Sequence, residues 1–216
     1  MFSRTIPMVN GKPKPVITRK LAETLDFQGP ATEAAPGALY NGVFALIVIN
    51  LVVFVAQMIL GHGLLQGLYL QQPPQFYQFV TSLFCHANWQ HISGNLFFLY
   101  VFGRIVEEEV GAWGVILCYL LCGVGANLLS VIFLPGTVSL GASGAVFGLF
   151  SVSVASKVSW DWRRLVEVVI LGQFVVQQVF AELSRVGVSD GINRVAHLGG
   201  ALVGVVLVMG WRRWLR

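Results

Sequence analysis

Long apolar segments that alternate with short polar breaks constrain this chain more than any other feature of its sequence. Residues 41–60 form an apolar run without a single charge, and similar runs recur up to the carboxyl end. Charged residues make up only 11% of the chain, whereas soluble domains carry about a quarter. Because a helix of about twenty apolar residues crosses the hydrocarbon core of a bilayer, the sequence predicts an all-α membrane protein.

Six apolar segments fit membrane-spanning helices and predict a six-helix bundle over residues 41–212. The predicted spans are 41–60, 91–107, 113–134, 142–158, 165–183 and 194–211. The fourth span is short for a bilayer. Residues 1–40 hold five of the fourteen basic residues and no sustained apolar run, so we interpret them as a flexible basic tail. Residues 213–216 form a second, short basic tail.

The basic residues predict how these spans are oriented. With the amino terminus inside, twelve of the fourteen Lys and Arg lie on the inner side, and only Arg185 and Arg194 lie outside. This bias follows the positive-inside rule, and it places both termini on the inner side. The host membrane is then a bacterial plasma membrane or the membrane of a plastid or another organelle. Spans two, four and six all run from outside to inside.

The unusual polar residues of these three spans fall at one depth. His86, His91 and Asn95 lie at the outer start of span two, Ser143 at that of span four, and His197 at that of span six. Each helical residue adds about 1.5 Å of depth, so these side chains converge a few residues below the outer surface. A lone serine in an apolar helix most often bonds its own backbone, but ionisable groups at the same depth indicate a functional site.

Pairs of glycines indicate which helices pack closely. The pairs are Gly144 with Gly148 on span four and Gly200 with Gly204 on span six. Such spacing lets two helix backbones approach each other in a membrane. His197 shares the face of the second pair, so it points toward the helix that packs there. If that helix is span four, Ser143 comes within hydrogen-bond reach of His197.

These residue types fit peptide hydrolysis. Ser143 would supply the nucleophilic hydroxyl, and His197 would take its proton and return it to the leaving amine. His91 and Asn95 lie one turn apart on span two, where they would donate hydrogen bonds to the oxyanion together with the Ser143 backbone N–H. His86 would contribute to the same pocket.

A dyad without an acid is expected. Asp190 lies seven residues before His197 in an outer loop, and we interpret it as solvated. Phe147 follows Ser143 by one turn, so its ring is expected to stack on His197 and orient the imidazole. No metal, cofactor or nucleic-acid partner is predicted, and the oligomeric state is left open.

Taken together, these motifs resemble those of the rhomboid family of intramembrane serine proteases. The matching motifs are Gly141-Ala142-Ser143-Gly144, Ala196-His197 followed by Gly200 and Gly204, and His86 with His91-Ile92-Ser93-Gly94-Asn95. Gly103 and Glu107 match a structural glycine and glutamate of the family. The family's Trp-Arg pair in the first outer loop is missing between Gly61 and Gln90.

The resemblance covers about residues 41–212 and implies the six-span rhomboid bundle. It implies a Ser143–His197 dyad, an oxyanion site that includes His91 and Asn95, and a pocket role for His86. The substrates would be transmembrane segments of other membrane proteins. By the same resemblance, span five and residues 181–192 would form a lateral gate for them.

Two other functions stay open at this point. A catalytically silent rhomboid-like protein would use the same bundle to hold membrane clients. A transporter or metal carrier would use His86, His91 and His197, but a metal site would also need carboxylate or thiolate partners at that depth. Only Cys85 is near.

Overall fold

The computed structural model describes residues 8–9, 12–13, 41–157, 162–163, 166, 169–170, 173, 177, 184 and 193–214. The chain forms two compact units, Met1–Leu39 and Tyr40–Arg216. In the first unit, strand β1 (Met8–Val9) pairs with the antiparallel strand β2 (Lys12–Pro13). Apart from single positions, the predicted fifth span and the predicted gate lie outside the described residues, as does Asp190.

The second unit is built mainly from helices. In chain order they are α1 (Asn41–Leu60), a 3₁₀ turn (Gln66–Leu68), α2 (Gln78–Thr81), a 3₁₀ turn (Ser82–Phe84), α3 (Trp89–Phe133), α4 (Ser143–Lys157) and α5 (Arg194–Trp214). The helix predicted over 194–211 therefore extends into the first residues of the predicted carboxyl-terminal tail. The short elements before α3 form a connecting segment, residues 61–88, which we call the first loop.

Helix α3 contains the second and third predicted spans. Gly111 interrupts it with φ 76° and ψ 175°, values that only glycine adopts without strain. The residues before and after Gly111 therefore form two helical arms, and these correspond to the predicted spans 91–107 and 113–134. Gly111 lies in the short break, residues 108–112, that the sequence places between these two spans.

The start of α1 is fixed by a buried carboxylate on the first arm of α3. The backbone N–H groups of Gly42 and Val43 each donate to a Glu107 carboxylate oxygen at 2.9 Å. A negative charge at a helix amino terminus satisfies N–H groups that have no partner within the helix. Gly103, one turn earlier, lets the Val43 side chain approach the backbone of α3. The neighbouring Glu108 and Glu109 are exposed.

The exposed faces of α1 and α3 are apolar. Val52 is 61% exposed, Ile59 76% and Trp113 84%. Both helices are long and apolar enough to cross a membrane. Contiguous apolar faces of this kind are rare on proteins surrounded by water, so these faces are suited to contact with lipid. With its two arms, α3 supplies two of the predicted spans, and α1, α4 and α5 correspond to the first, fourth and sixth.

Helix α4 lies at the centre of the described bundle, and its contact with α5 is made through glycines. Its buried residues are Gly144–Val146 and Gly148–Ser153. An added Cβ on Gly200 would overlap the carbonyl oxygen of Gly144, and one on Gly204 would overlap that of Gly148. The two backbones are therefore in direct contact, and the glycines that the sequence pairs within each helix also meet between the helices.

This contact predicts that Gly200→Ala lowers the thermal stability of the protein in detergent. The new methyl group meets main chain, which cannot swing away, and overpacking of this kind costs on the order of 1–3 kcal/mol. Gly210→Ala is the matched control because an added Cβ there meets nothing within 4 Å. Thermal unfolding of both variants in the same detergent checks the prediction. Equal melting temperatures for the two variants would contradict it.

Candidate active site

Ser143 begins α4 and follows a segment that the first loop holds in place. Leu70 and Ser139 exchange two backbone hydrogen bonds of 2.9 Å, and the Gly141 N–H donates to the Ser82 carbonyl at 2.9 Å. These bonds satisfy the backbone where it is extended and fix the direction from which the chain enters α4. The Ser143 side chain is half-buried in the first turn, where helix N–H groups lack partners within the helix.

Two side-chain nitrogens of α3 converge on the backbone just before Ser143. Gly141 has φ +122°, and a Cβ there would lie 2.7 Å from His91 Nε2 and 3.9 Å from Asn95 Nδ2. The left-handed backbone and the position of the imidazole both require glycine. Both nitrogens therefore lie close to Gly141, two residues before the candidate nucleophile.

Hydrogen bonds around His91 fix which of its nitrogens carries a proton. The Ala87 N–H donates to Nδ1 at 3.5 Å, so in the neutral ring Nε2 is the nitrogen that carries hydrogen. Asn88 caps α3 by accepting from the His91 N–H at 2.9 Å, which fixes the backbone of His91. Nε2–H is thus a donor directed toward Gly141.

Asn95 supplies a second donor at this place. Its side chain is buried, and Nδ2 has no hydrogen-bond partner among the described residues. A buried amide nitrogen without a partner costs free energy, so its position calls for an explanation. Together with His91 Nε2–H it forms a pair of N–H groups available to an incoming oxygen atom.

His197 lies beside the first turn of α4. Its imidazole stacks on the Phe147 ring with centroids 4.5 Å apart and planes at 7°. The preceding carbonyl, that of Ala196, would lie 3.2 Å from a Cβ added to Gly144, the residue that follows Ser143. The ring stack and the close approach of the Ala196 carbonyl to Gly144 therefore place His197 of α5 and Ser143 of α4 at the same end of the glycine contact.

Asn193 anchors the start of α5, a role that is not among the predictions made from the sequence. Its Oδ1 accepts from the Ala196 N–H at 2.9 Å, as a helix cap does. Its Nδ2 donates to Ser130 Oγ at 2.6 Å and to Ser139 Oγ at 2.9 Å. One amide thus joins the helix of His197 to the second arm of α3 and to the segment before α4. An asparagine just before the apolar run is the sequence signal for such a cap.

His86 is buried against the nucleophile segment. Its Nε2 accepts a hydrogen bond of 3.4 Å from the Ala142 N–H, and its ring meets the His91 ring edge-on at 5.0 Å. Burial, together with the neighbouring His91, lowers the pKa of His86 to about 4. Neutral imidazole is the form that accepts from Ala142, so the hydrogen bond and the pKa agree.

The cysteines form no metal site with these histidines. No group of three or more His, Cys, Asp or Glu side chains within the described ranges is arranged to hold a metal ion. Burial raises the pKa of the Cys85 thiol to about 12, which disfavours the thiolate that a metal would need. The Cys85 thiol is therefore a poor metal ligand next to these histidines.

The fold and these side chains define a helical membrane protein with a serine and a histidine on two glycine-packed helices. The family model described as Rhomboid domain matches residues 73–214. The chain therefore belongs to the rhomboid family.

Relatives whose names indicate different activities share this similarity. Rhomboid-like protein 11, chloroplastic, of Arabidopsis thaliana is 54% identical over 180 residues, which cover 78% of this chain and 64% of the relative. Rhomboid-like protease 3 of Toxoplasma gondii is 33% identical over 62% of this chain and 51% of its own length. Inactive rhomboid protein 1 of Homo sapiens is 32% identical over 67% of this chain and 17% of its own length. The chain spans less than two thirds of each relative.

The lowered pKa of His86 predicts that acid weakens the fold. In the unfolded chain His86 would take up a proton near pH 6.5, whereas in the fold it does so near pH 4. Stability contributed by this group is therefore complete above pH 6.5 and falls as the pH drops toward 4, by about 1.4 kcal/mol per pH unit. The check is thermal unfolding of the wild type and of His86→Gln, each measured at pH 7.5 and pH 5. The wild type should lose about 2 kcal/mol more than the variant. Identical losses would contradict the assignment.

Proposed function

We propose that the chain is an intramembrane serine endopeptidase that cleaves transmembrane segments of other membrane proteins. The observation that carries the proposal is the stack of His197 on Phe147 beside the helical turn that Ser143 begins. Family membership supports the proposal, because some rhomboid relatives are named as proteases. The donors on α3 add the third part that acyl transfer needs.

In this proposal Ser143 Oγ attacks the scissile carbonyl while His197 accepts the hydroxyl proton. The carbonyl oxygen becomes an oxyanion that receives hydrogen bonds from His91 Nε2–H, Asn95 Nδ2–H and the Ser143 backbone N–H. When the C–N bond breaks, His197 returns the proton to the leaving amine and an acyl-enzyme remains. Water then attacks the acyl group while His197 takes a proton from it. As the bond between the acyl carbon and Ser143 Oγ breaks, His197 returns that proton to Oγ, and the carboxylic acid product leaves.

The length of α4 supports a reaction below the membrane surface. Fifteen residues span about 22 Å, whereas the hydrocarbon core is about 30 Å thick. With Lys157 at the inner interface, the Ser143 end is recessed by several ångströms. A substrate helix shields its own peptide bonds by hydrogen bonding, so it must unwind locally at this depth. Residues with low helix propensity near the cut would favour that step.

A catalytically silent client-binding role is the second candidate, because one relative is named an inactive rhomboid protein. A protein that only binds clients does not require a nucleophile and a base at neighbouring positions. Here Ser143 and His197 are both present, and α4 and α5 bring them to the same end of their glycine contact. This arrangement favours the protease.

The proposal predicts that purified wild-type protein cleaves a single-span substrate in liposomes and that Ser143→Ala and His197→Ala do not. Loss of either member of the dyad should lower kcat by roughly 10³-fold or more. Ser153→Ala is the matched control, since the hydroxyl of this serine of α4 donates to the Phe150 carbonyl of its own helix. EDTA should leave cleavage unchanged.

The same assay tests the oxyanion site and the rival function. Asn95→Ala should lower kcat by about 10²-fold, as loss of one oxyanion donor does. Equal cleavage by all variants would point to a contaminating protease. Absence of cleavage by the wild type, with retained capture of the substrate, would instead support the client-binding role.

We further propose that the chain resides in a plastid membrane with both termini on the same, inner side. The name of the chloroplastic relative and the distribution of Lys and Arg support this. Tags fused to the two ends should co-fractionate with plastid membranes and respond alike to added protease in sealed membranes. Opposite responses would refute the predicted even number of spans.

A further inference from the structure

We infer that Gln57 on α1 positions the oxyanion donors by holding the segment that leads into α3. The inference rests on the proposed function and assigns a role to a residue outside the dyad and the oxyanion donors. Gln57 would be a positioning residue, because it reaches the reacting atoms only through its neighbours.

Gln57 bridges two parts of the first loop. Its side chain is fully buried in the last turns of α1. Oε1 accepts from the His86 N–H at 3.0 Å, and Nε2 donates to Tyr69 Oη at 3.0 Å. His62 Nδ1 lies 3.1 Å from the same Tyr69 hydroxyl. Both ends of the amide are therefore engaged by loop residues.

The orientation of this amide is determined by its partners. A backbone N–H can only donate, so the oxygen of Gln57 must face His86 and the nitrogen must face Tyr69. Because Tyr69 Oη accepts from Gln57, its own hydrogen is available to His62 Nδ1. Reversing the amide would set two donors against each other in a buried place, which is costly.

The residues that follow this anchor make successive contacts with the candidate site. His86 Nε2 accepts from the Ala142 N–H, next to Ser143. The Ala87 N–H donates to His91 Nδ1, and Asn88 Oδ1 accepts from the His91 N–H. A shift of the His86 backbone would therefore move both the start of α4 and the ring that presents Nε2–H. Misplacement by about 1 Å can lower a rate by about 10²-fold.

Asn50 offers a matched comparison on the same helix. It is as fully buried as Gln57, but its Nδ2 donates to the Leu46 carbonyl of α1 itself at 2.7 Å. The Asn50 side chain also hydrogen-bonds Tyr119 on the second arm of α3. Replacing either amide by leucine removes buried hydrogen bonds made by a side chain of α1 while keeping a side chain of similar volume. Of these two amides, Gln57 is the one that bonds the segment of residues 85–88 directly.

The experiment compares the wild type with Gln57→Leu, Tyr69→Phe and Asn50→Leu. Cleavage kinetics give kcat and KM for a single-span substrate, and hydrogen exchange follows the amides of residues 84–95 without requiring activity. Gln57→Leu should lower kcat by about tenfold or more with KM within about twofold, because a displaced oxyanion donor acts on the transition state. It should also speed exchange in residues 84–95.

The other variants separate positioning from folding. Tyr69→Phe keeps the ring but removes the acceptor of Gln57 Nε2, so it should change both readouts in the same direction and by less. It also tests the inference if Gln57→Leu does not fold. In Asn50→Leu, the hydrogen-exchange rates of residues 84–95 and the value of kcat should both stay close to those of the wild type.

Two outcomes would overturn the inference. One is unchanged exchange in residues 84–95 for both Gln57→Leu and Tyr69→Phe, and the other is an equal loss of kcat in Asn50→Leu. A wild type that does not cleave would refute the protease proposal separately. The exchange difference would then still decide whether Gln57 holds the His86 segment.

Discussion

Direct contact between the backbones of α4 and α5 is the constraint on which the candidate site depends. Lipid is as apolar as a leucine side chain, so helices in a membrane gain little from burying apolar groups and rely on close packing instead. Four glycines provide that packing here, and the carbonyls of Gly144 and Gly148 lie against the α carbons of Gly200 and Gly204. The same contact fixes the register of His197 relative to Ser143, because each residue lies within one turn of a contact glycine.

A second kind of interaction holds the other side of the site. The segment before α4 is extended, so its backbone groups have no partners within a helix, and exposing them to hydrocarbon would be costly. Leu70, Ser82 and His86 supply partners from the first loop, and Asn193 adds contacts from the start of α5. Close packing thus sets the separation of the two helices, while hydrogen bonds set the approach of the chain to Ser143. Neither the close packing nor these hydrogen bonds alone would assemble the site, because the donors on α3 belong to a third element.

Much of this architecture can be predicted from the sequence because its signals are periodic or locally specific. Apolar runs of helical length predict the membrane class, which the family match and the apolar helices confirm. The glycine pairs predict a close-packed face on each helix, although the sequence leaves the packing partner open. Glu107 is distinguished from Glu108 and Glu109 only by the family motif, and it is the buried member of the run.

The sequence could not reveal the residues that act through contacts distant along the chain. Gln57 is one amide in an apolar helix, and its partners lie 12 and 29 residues away. No spacing rule links such positions. Asn193 is recognisable as a cap, but its bonds to Ser130 and Ser139 depend on how three elements meet. These bonds follow from the tertiary arrangement that the glycine contacts create.

The Asn95 Nδ2 group, which has no hydrogen-bond partner among the described residues, connects this architecture with the proposed reaction. A buried N–H without an acceptor destabilises the ground state by about 1–3 kcal/mol, and a fold tolerates it only where packing elsewhere compensates. In surroundings of low dielectric constant the same N–H interacts more strongly with an oxyanion than it would in water. In the proposed reaction, a helix face that holds Asn95 Nδ2 and His91 Nε2 near Gly141 would therefore stabilise the oxyanion without further rearrangement. The loop contacts that hold His91 keep that point aligned with the start of α4.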